Sequence, residues 1–292
     1  MHSRRVSTFI SAGYKISQAL AGSSNSSITL NTTYPTEHLV EKNHIGKLIL
    51  VRHGETDSNK NETWAGWHDT KLTEKGRQQA RDLGKILKEN DFSPDLVYTT
   101  ELSRAHETTK IALSIMGCTT PIIKDRRIIE QNVGSFTGTK KTDESKLIVQ
   151  GPHSRAKAMD INHPNHHLNS ESVIGETMNG LGTESRHDVV IRTNLFYEEQ
   201  LKKDLKAGKK ILVVAHSNSL KALITNIANK TGLKIGNAAP MELKFRWDEK
   251  GEPVFTEMAE VKFPSSTVSV FEINNLKESS QVEKTQKSGS RE

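Results

Sequence analysis

Leu48-Ile49-Leu50-Val51-Arg52-His53-Gly54-Glu55-Thr56-Asp57-Ser58-Asn59 opens as an apolar run and closes as a polar loop. The unbroken run in Lys47–Val51 predicts a strand buried on both faces. A strand end that opens into a glycine-containing loop is where α/β proteins place their chemistry. Arg52 offers a fork of donors suited to phosphate. His53 is nucleophilic and partly neutral at pH 7. Gly54 lets backbone approach a ligand. A second run, Lys210–Ala215, ends in the same way at His216. Strand ends of this kind gather at one edge of an open sheet, so His53 and His216 are expected to share a pocket.

Between and beyond these strands the pattern alternates. Thr73 predicts a helix N-cap, with Ala80, Leu83, Ile86 and Leu87 on one face. Asp95–Tyr98 and Pro121–Ile123 read as short strands around a helix over Ser103–Met116. That helix turns Ala105, Thr108, Ile111 and Ala112 to the sheet. Thr183–Lys206 carries a helical period that Gly208 ends, and Asn218–Lys230 predicts another helix. Met241–Trp247 and Thr267–Ile273 read as later strands joined through a turn at Lys250-Gly251. Such alternation implies an α/β domain over 46–275, with a mostly parallel open sheet and helices on both faces. Residues 135–182 lack a period and predict a long loop insertion with one short helix.

Arg52, Arg104, the two histidines and the backbone amides that open the helix after His216 together describe a phosphate cradle. In cationic surroundings the natural role of His53 is attack on phosphorus. Equatorial charge would be met by Arg52, Arg104, His216 and the amides near Ser217 and Asn218. Glu130, in the turn after Arg126-Arg127-Ile128-Ile129, is the general-acid candidate for the leaving oxygen. Two other chemistries are weaker. A metal held by the histidines lacks Cys or carboxylate partners, and no Gly-x-Ser-x-Gly elbow supports a serine hydrolase.

In order, the chain holds Arg52-His53-Gly54, Asn59, Gly66-Trp67, Leu102-Ser103-Arg104-Ala105, Glu130 and Ala215-His216-Ser217-Asn218-Ser219-Leu220. This set resembles the histidine phosphatase superfamily, and within it the cofactor-dependent phosphoglycerate mutases, over roughly residues 46–275. The resemblance implies a phosphorylated His53, phosphate contacts from Arg52, Arg104 and His216, and Glu130 as acid and base. It implies substrate contacts from Asn59, Gly66, Ser217 and Asn218. The implied activity interconverts 3- and 2-phosphoglycerate in glycolysis, without metal, primed by 2,3-bisphosphoglycerate. A phosphatase hydrolysing small phosphomonoesters is the alternative, followed by a catalytically weak regulatory relative.

Departures fall on the layer that would recognise phosphoglycerate. Where mutases follow the acid with Arg-His-Tyr-Gly, this chain has Gln131-Asn132-Val133-Gly134, so the substrate-contacting Tyr is missing. Thr139 stands where a binding Lys is usual, with Lys140 and Lys141 next to it. An Arg pair of the insertion reduces to Arg155, and Ala65 replaces a Thr before Gly66-Trp67. Lys140, Lys141 and Arg155 are therefore the candidate substrate cations of the insertion.

The formal charge of +6 over 292 residues suits an anionic partner. Lys and Arg are scattered, with no aromatic-and-basic motif, which points to a small phosphorylated metabolite rather than nucleic acid. No apolar run reaches membrane-spanning length. The single cysteine, Cys118, excludes an intrachain disulfide. Composition leaves a homo-oligomer open. Residues 1–45 are basic, rich in Ser and Thr, and free of acidic residues before Glu37. That is the composition of a transit peptide, mitochondrial or for another organelle. A non-targeting disordered extension of a cytoplasmic protein is the alternative. Residues 276–292 read as a disordered tail. The run Asn162-His163-Pro164-Asn165-His166-His167 reads as a solvated loop, since Pro164 opposes a helix that would align its histidines.

Overall fold

The computed structural model describes residues 46–170 and 182–264. The expectations for residues 1–45, for Thr267–Ile273 and for 276–292 lie outside the described residues.

One six-stranded sheet organises the described chain, in the order β3-β2-β4-β1-β5-β6. Strands β1 (Lys47–Arg52), β2 (Leu96–Thr99), β3 (Ile122–Lys124) and β4 (Lys210–Ala215) are parallel. Strands β5 (Pro240–Trp247) and β6 (Pro253–Glu260) add an antiparallel edge. The fold is thus mixed α/β on a single sheet. Strand side chains alternate between faces, which divides the core in two. Leu48, Leu50, Ile211 and Val213 face one layer of helices, together with Phe196, Leu201, Leu220 and Leu223. Ile49, Val51, Leu212 and Val214 face the other, together with Leu83, Leu87 and Ala112. Strands β1 and β4 lie side by side at the centre, with Arg52 opposite Ala215. His53 and His216 therefore leave the sheet at the same height.

The helices are α1 (Asp57–Lys60), α2 (Glu74–Glu89), α3 (Ser103–Met116), α4 (Asp143–Gln150), α5 (Arg186–Phe196), α6 (Lys202–Lys206) and α7 (Ser217–Ala228). Thr73 caps α2 by accepting from the Gly76 amide at 3.0 Å. Tyr197–Leu201 is a π turn that joins α5 to α6, so the period read over Thr183–Lys206 is one helix with a wide turn inside it. It begins three residues later than expected, because Ser185 caps it: the Asp188 amide donates to Ser185 Oγ, and Ser185 N–H to Asp188 Oδ2.

Two sequence expectations need correction. The Lys250-Gly251 turn leads from β5 into Pro253–Glu260, a strand the sequence pattern did not predict. Gly251 takes a positive φ of 73° in that turn, and the Lys250 and Glu252 amides donate to Asp248 Oδ1. The insertion is also less loop-like than expected. Its first residues form a short ladder against the 62–64 segment, with Gly138 N–H donating to Trp64 O and Lys141 N–H to Glu62 O. The 3-10 turn Gly134–Phe136 leads into that ladder, and helix α4 and a second 3-10 turn, His166–Ser170, follow it.

His163 closes its own loop. Its Nε2 donates to Thr137 O at 3.1 Å, and its Nδ1 accepts from the Asn165 amide at 3.1 Å. Among the described residues no three His, Cys, Asp or Glu side chains gather into a metal site, and no helix is long and apolar enough to cross a membrane.

Candidate active site

A cavity of about 210 Å3 opens above the ends of β1 and β4. Arg52, His53, Asn59, Gly66, Arg104, Glu130, Lys141, Ser217 and Asn218 all line it. His216 lies beneath, fully buried, its ring 5.3 Å from that of His53.

The tautomer of His53 follows from one bond. Its Nδ1 lies 2.7 Å from the carbonyl oxygen of Gly54, which can only accept, so Nδ1 carries the proton. Nε2 keeps the lone pair and is the nucleophilic atom. Burial, then the charges of Arg104 and Arg52, hold the imidazole well below its ordinary range. His53 is thus neutral near pH 7 despite its cationic neighbours. A Cβ at Gly54 would sit 2.4 Å from Gly76 O, so the glycine lets the loop pack on the first turn of α2.

Both arginines are held by carbonyl oxygens. Arg104 donates through Nη1 to His68 O and through Nη2 to Gly66 O, at 2.9 and 2.8 Å. Arg52 donates through Nη1 to Ile235 O at 3.1 Å. The buried Nε of each has no partner in the protein, which leaves a donor for an anion. Burial lowers Arg104 to about 10, with Glu130 and Asp69 opposing the shift, so it stays charged at neutral pH. Gly66 is required where it stands: its φ is +52°, and a Cβ would meet Val133 Cγ2 at 2.9 Å. Asn59, which lines the cavity, is held through its Oδ1, which accepts from the Thr56 backbone and from Asn237 Nδ2. His216 Nε2 pairs with Thr100 Oγ1 at 2.9 Å, and its Nδ1 is buried without a partner.

Glu130 is positioned from both ends. Its Oε1 accepts from the amides of Gln131 (2.9 Å) and Asn218 (3.1 Å), which ties the carboxylate to the start of α7. Its carbonyl accepts from Trp67 Nε1 at 2.5 Å and Arg192 Nη2 at 3.1 Å. Arg192 in turn is sealed against Glu184, both side chains 1% exposed and 2.7 Å apart. Glu184 Oε2 accepts from the Asn132 amide, so this buried pair holds the backbone on both sides of Gln131.

The three insertion cations separate. Lys141 lines the cavity and lies over the Trp64 ring at 5.2 Å. Lys140 does not line it: in an extended ladder neighbours face opposite ways, and its Nζ donates to Asn61 O at 2.7 Å on the exposed side. Arg155 is drawn elsewhere, bound to Asp188 at 2.6 Å and to Thr183 O. The cations that do line the cavity, and that sequence reasoning missed, are Lys146 and Lys221, with Gln150 beside them. Lys221 was within reach of the sequence, one helical turn after Asn218. Thr56, Thr63, Trp64, Ala65 and Val133 complete the wall, and Val133 is the residue at the missing Tyr position.

The model of the histidine phosphatase superfamily (branch 1) matches residues 48–249. A 2,3-bisphosphoglycerate-dependent phosphoglycerate mutase of Hamiltonella defensa subsp. Acyrthosiphon pisum (strain 5AT) is 31% identical over 223 residues, covering 72% of this chain and 90% of the relative. Among solved structures, phosphoglycerate mutase from Bacillus anthracis str. Sterne superposes with a TM-score of 0.55 at 23% identity, over 74% of this chain and 93% of that one. Phosphoserine phosphatase from Entamoeba histolytica, in complex with 3-phosphoglyceric acid, superposes with a TM-score of 0.52 at 20% identity, over 73% and 96%. These likenesses show the fold, which a mutase and a phosphatase share. Because the family match starts in the strand that delivers His53 and runs through the one that delivers His216 into the β5–β6 turn, this chain belongs to the histidine phosphatase superfamily.

Proposed function

We propose that this enzyme is a phosphoglycerate mutase-like phosphotransferase, interconverting 3- and 2-phosphoglycerate through a phosphoryl group carried on His53. One observation carries the reading. Arg52, Arg104, Lys141, Lys146 and Lys221 line a small cavity that contains one carboxylate, Glu130. Transfer of a single phosphate occupies the two arginines and the histidines. The three lysines lie beyond that need and fit a second anionic group, the carboxylate or remaining phosphate of a phosphoglycerate.

In the chemical step His53 Nε2 attacks phosphorus in line, forming the N–P bond as the P–O bond to the substrate breaks. Arg52, Arg104 and the buried Nδ1 of His216 face the charge on the equatorial oxygens. Glu130 gives its proton to the departing oxygen and, in the second transfer, takes one from the accepting hydroxyl. The cation set fits a bisphosphorylated primer as well; when bound, 2,3-bisphosphoglycerate would supply the first phosphoryl group. Water must be kept from phosphorylated His53 meanwhile, and the ladder of the insertion against residues 62–64 encloses that side of the cavity.

Hydrolysis of small phosphomonoesters by the same phosphorylated His53 is the second reading. Val133 favours it, because an apolar side chain in the cavity wall gives a phosphoglycerate no hydrogen bond. Product analysis with 3-phosphoglycerate, with and without 2,3-bisphosphoglycerate, separates the two. The mutase reading expects primer-stimulated 2-phosphoglycerate, and an acid-labile phosphoryl label that His53→Ala loses. Free phosphate without 2-phosphoglycerate would transfer the function to the phosphatase.

A further inference from the structure

A second cavity, of about 690 Å3, adjoins the first and shares Gln150 and Lys221 with it. Two helices build it. Arg186, His187 and Val190 come from the first turns of α5, and Lys221 and Thr225 from α7. Lys234 closes it, with Pro152 and Leu233 as apolar wall. Asn218, Lys221 and Thr225 are spaced one turn apart, so they form a stripe along one face of α7. That stripe leads out of the catalytic cavity, and at ~1.5 Å rise per residue it covers ~10 Å.

The charge in this groove is uncompensated. Among the described residues, Arg186, Lys221 and Lys234 form no ion pair with a carboxylate. Arg186 sits in the first turn of α5, where the helix dipole disfavours a cation. Burial lowers both Arg186 and Lys221, and Arg186 lowers Lys221 further. The carboxylate both feel is Glu130, in the catalytic cavity. No Phe, Tyr or Trp lines the groove, so nothing there stacks on a base. Folding has gathered cations at a cost that an anion would relieve.

We propose that this groove extends the active site and seats the distal anion of an elongated phosphomonoester, a second phosphate or carboxylate held about 10 Å from the phosphate that reacts. The inference rests on the phosphoryl-transfer reading and names a substrate class longer than phosphoglycerate for the same site.

Titration calorimetry with two phosphonates, which the enzyme cannot hydrolyse, tests it. Hexylphosphonate carries one anion; 1,6-hexanediylbis(phosphonate) carries a second at the far end of a spacer that reaches across the groove. The wild type should bind the bisphosphonate at least about tenfold more tightly, the scale of charge-assisted contacts. Arg186→Gln combined with Lys234→Gln should remove most of that preference and leave hexylphosphonate binding within about twofold. Equal binding of the two ligands by the wild type, or a parallel loss for both in the variant, overturns the proposal. A wild type that takes phosphoryl label on His53 yet shows no preference removes this inference alone. One that takes no label and binds neither phosphonate removes the phosphoryl-transfer reading, and this inference with it.

Discussion

Replacing Arg192 by methionine takes the guanidinium out of a sealed ion pair and leaves the carboxylate behind. Arg192 Nε and Nη2 lie 2.7 and 3.1 Å from the two oxygens of Glu184, and both side chains are 1% exposed. After the change Glu184 keeps only the Asn132 amide. The carbonyl of Arg127 also loses its donor, while that of Glu130 falls back on Trp67. A buried charge stripped of its partner costs ~3–5 kcal/mol. With a urea slope of ~2–3 kcal/mol/M, the unfolding midpoint should fall by about 1–2.5 M at unchanged slope. Glu184→Leu in the same chain removes the orphaned charge, so the double variant should recover most of the loss. Turnover should stay depressed in the double variant, because Arg192 no longer holds the Glu130 backbone. A loss below about 1 kcal/mol, or a double variant no more stable than the single one, would refute the view that this pair is a sealed charge couple.

Glu130→Gln should slow transfer by roughly 10²–10⁴ with alkyl phosphates and far less with p-nitrophenyl phosphate, whose leaving group needs no proton; equal losses would remove Glu130 from the acid role. Stability should depend on pH through the two buried histidines. Burial first, then Arg104, holds both His53 and His216 well below the ordinary value of 6.5. Below that value the unfolded chain takes up protons that the folded chain refuses, so stability rises with pH up to about 6.5 and is lost as pH falls below it. The slope reaches about 1.4 kcal/mol per pH unit for each histidine. Urea midpoints that stay level between pH 8 and pH 5 would contradict this.

Strands β1 and β4 were legible because they are buried on both faces, which leaves an unbroken apolar run. Helix α3 was legible because its small residues fall on one face and Gly117 ends it with a φ of 71°. Strand β6 was not. Among the described residues it is an edge strand, with only Pro253 buried and partial cover for Phe255 and Met258, and Thr256 and Glu257 in its middle are exposed. Its signal is therefore weaker than that of Thr267–Ile273, which drew the prediction instead. The grouping of Arg52, His53 and His216 was legible for the same reason as β1 and β4: a residue at or just past the end of a parallel strand has its position fixed by the sheet. The insertion cations lacked that anchor. Choosing Lys141 over Lys140 needs the register of a three-residue ladder. Losing Arg155 needs knowledge of Asp188, 33 residues away and turned inward by the Ser185 cap.

The cradle is organised before any anion arrives. Arg52 and Arg104 repel each other and disfavour a charge on His53, yet each is pinned by backbone carbonyls that belong to different loops: Ile235 before β5, Gly66 and His68 after α1. These carbonyls leave each guanidinium charged and do not use its Nε. Glu130 is likewise oriented through its backbone and through two amides rather than by an arginine of the cradle. Acid and cations are thus set by separate parts of the fold. A phosphate entering the cavity has little to reorganise, which is the condition for fixed dipoles to lower a barrier. The Asn218 amide is the exception, since it is bound to Glu130 and would face a phosphate oxygen only when Glu130 yields it. In the acid role proposed for Glu130, release of that amide would free it for a phosphate oxygen, which would tie arrival of the anion to that role.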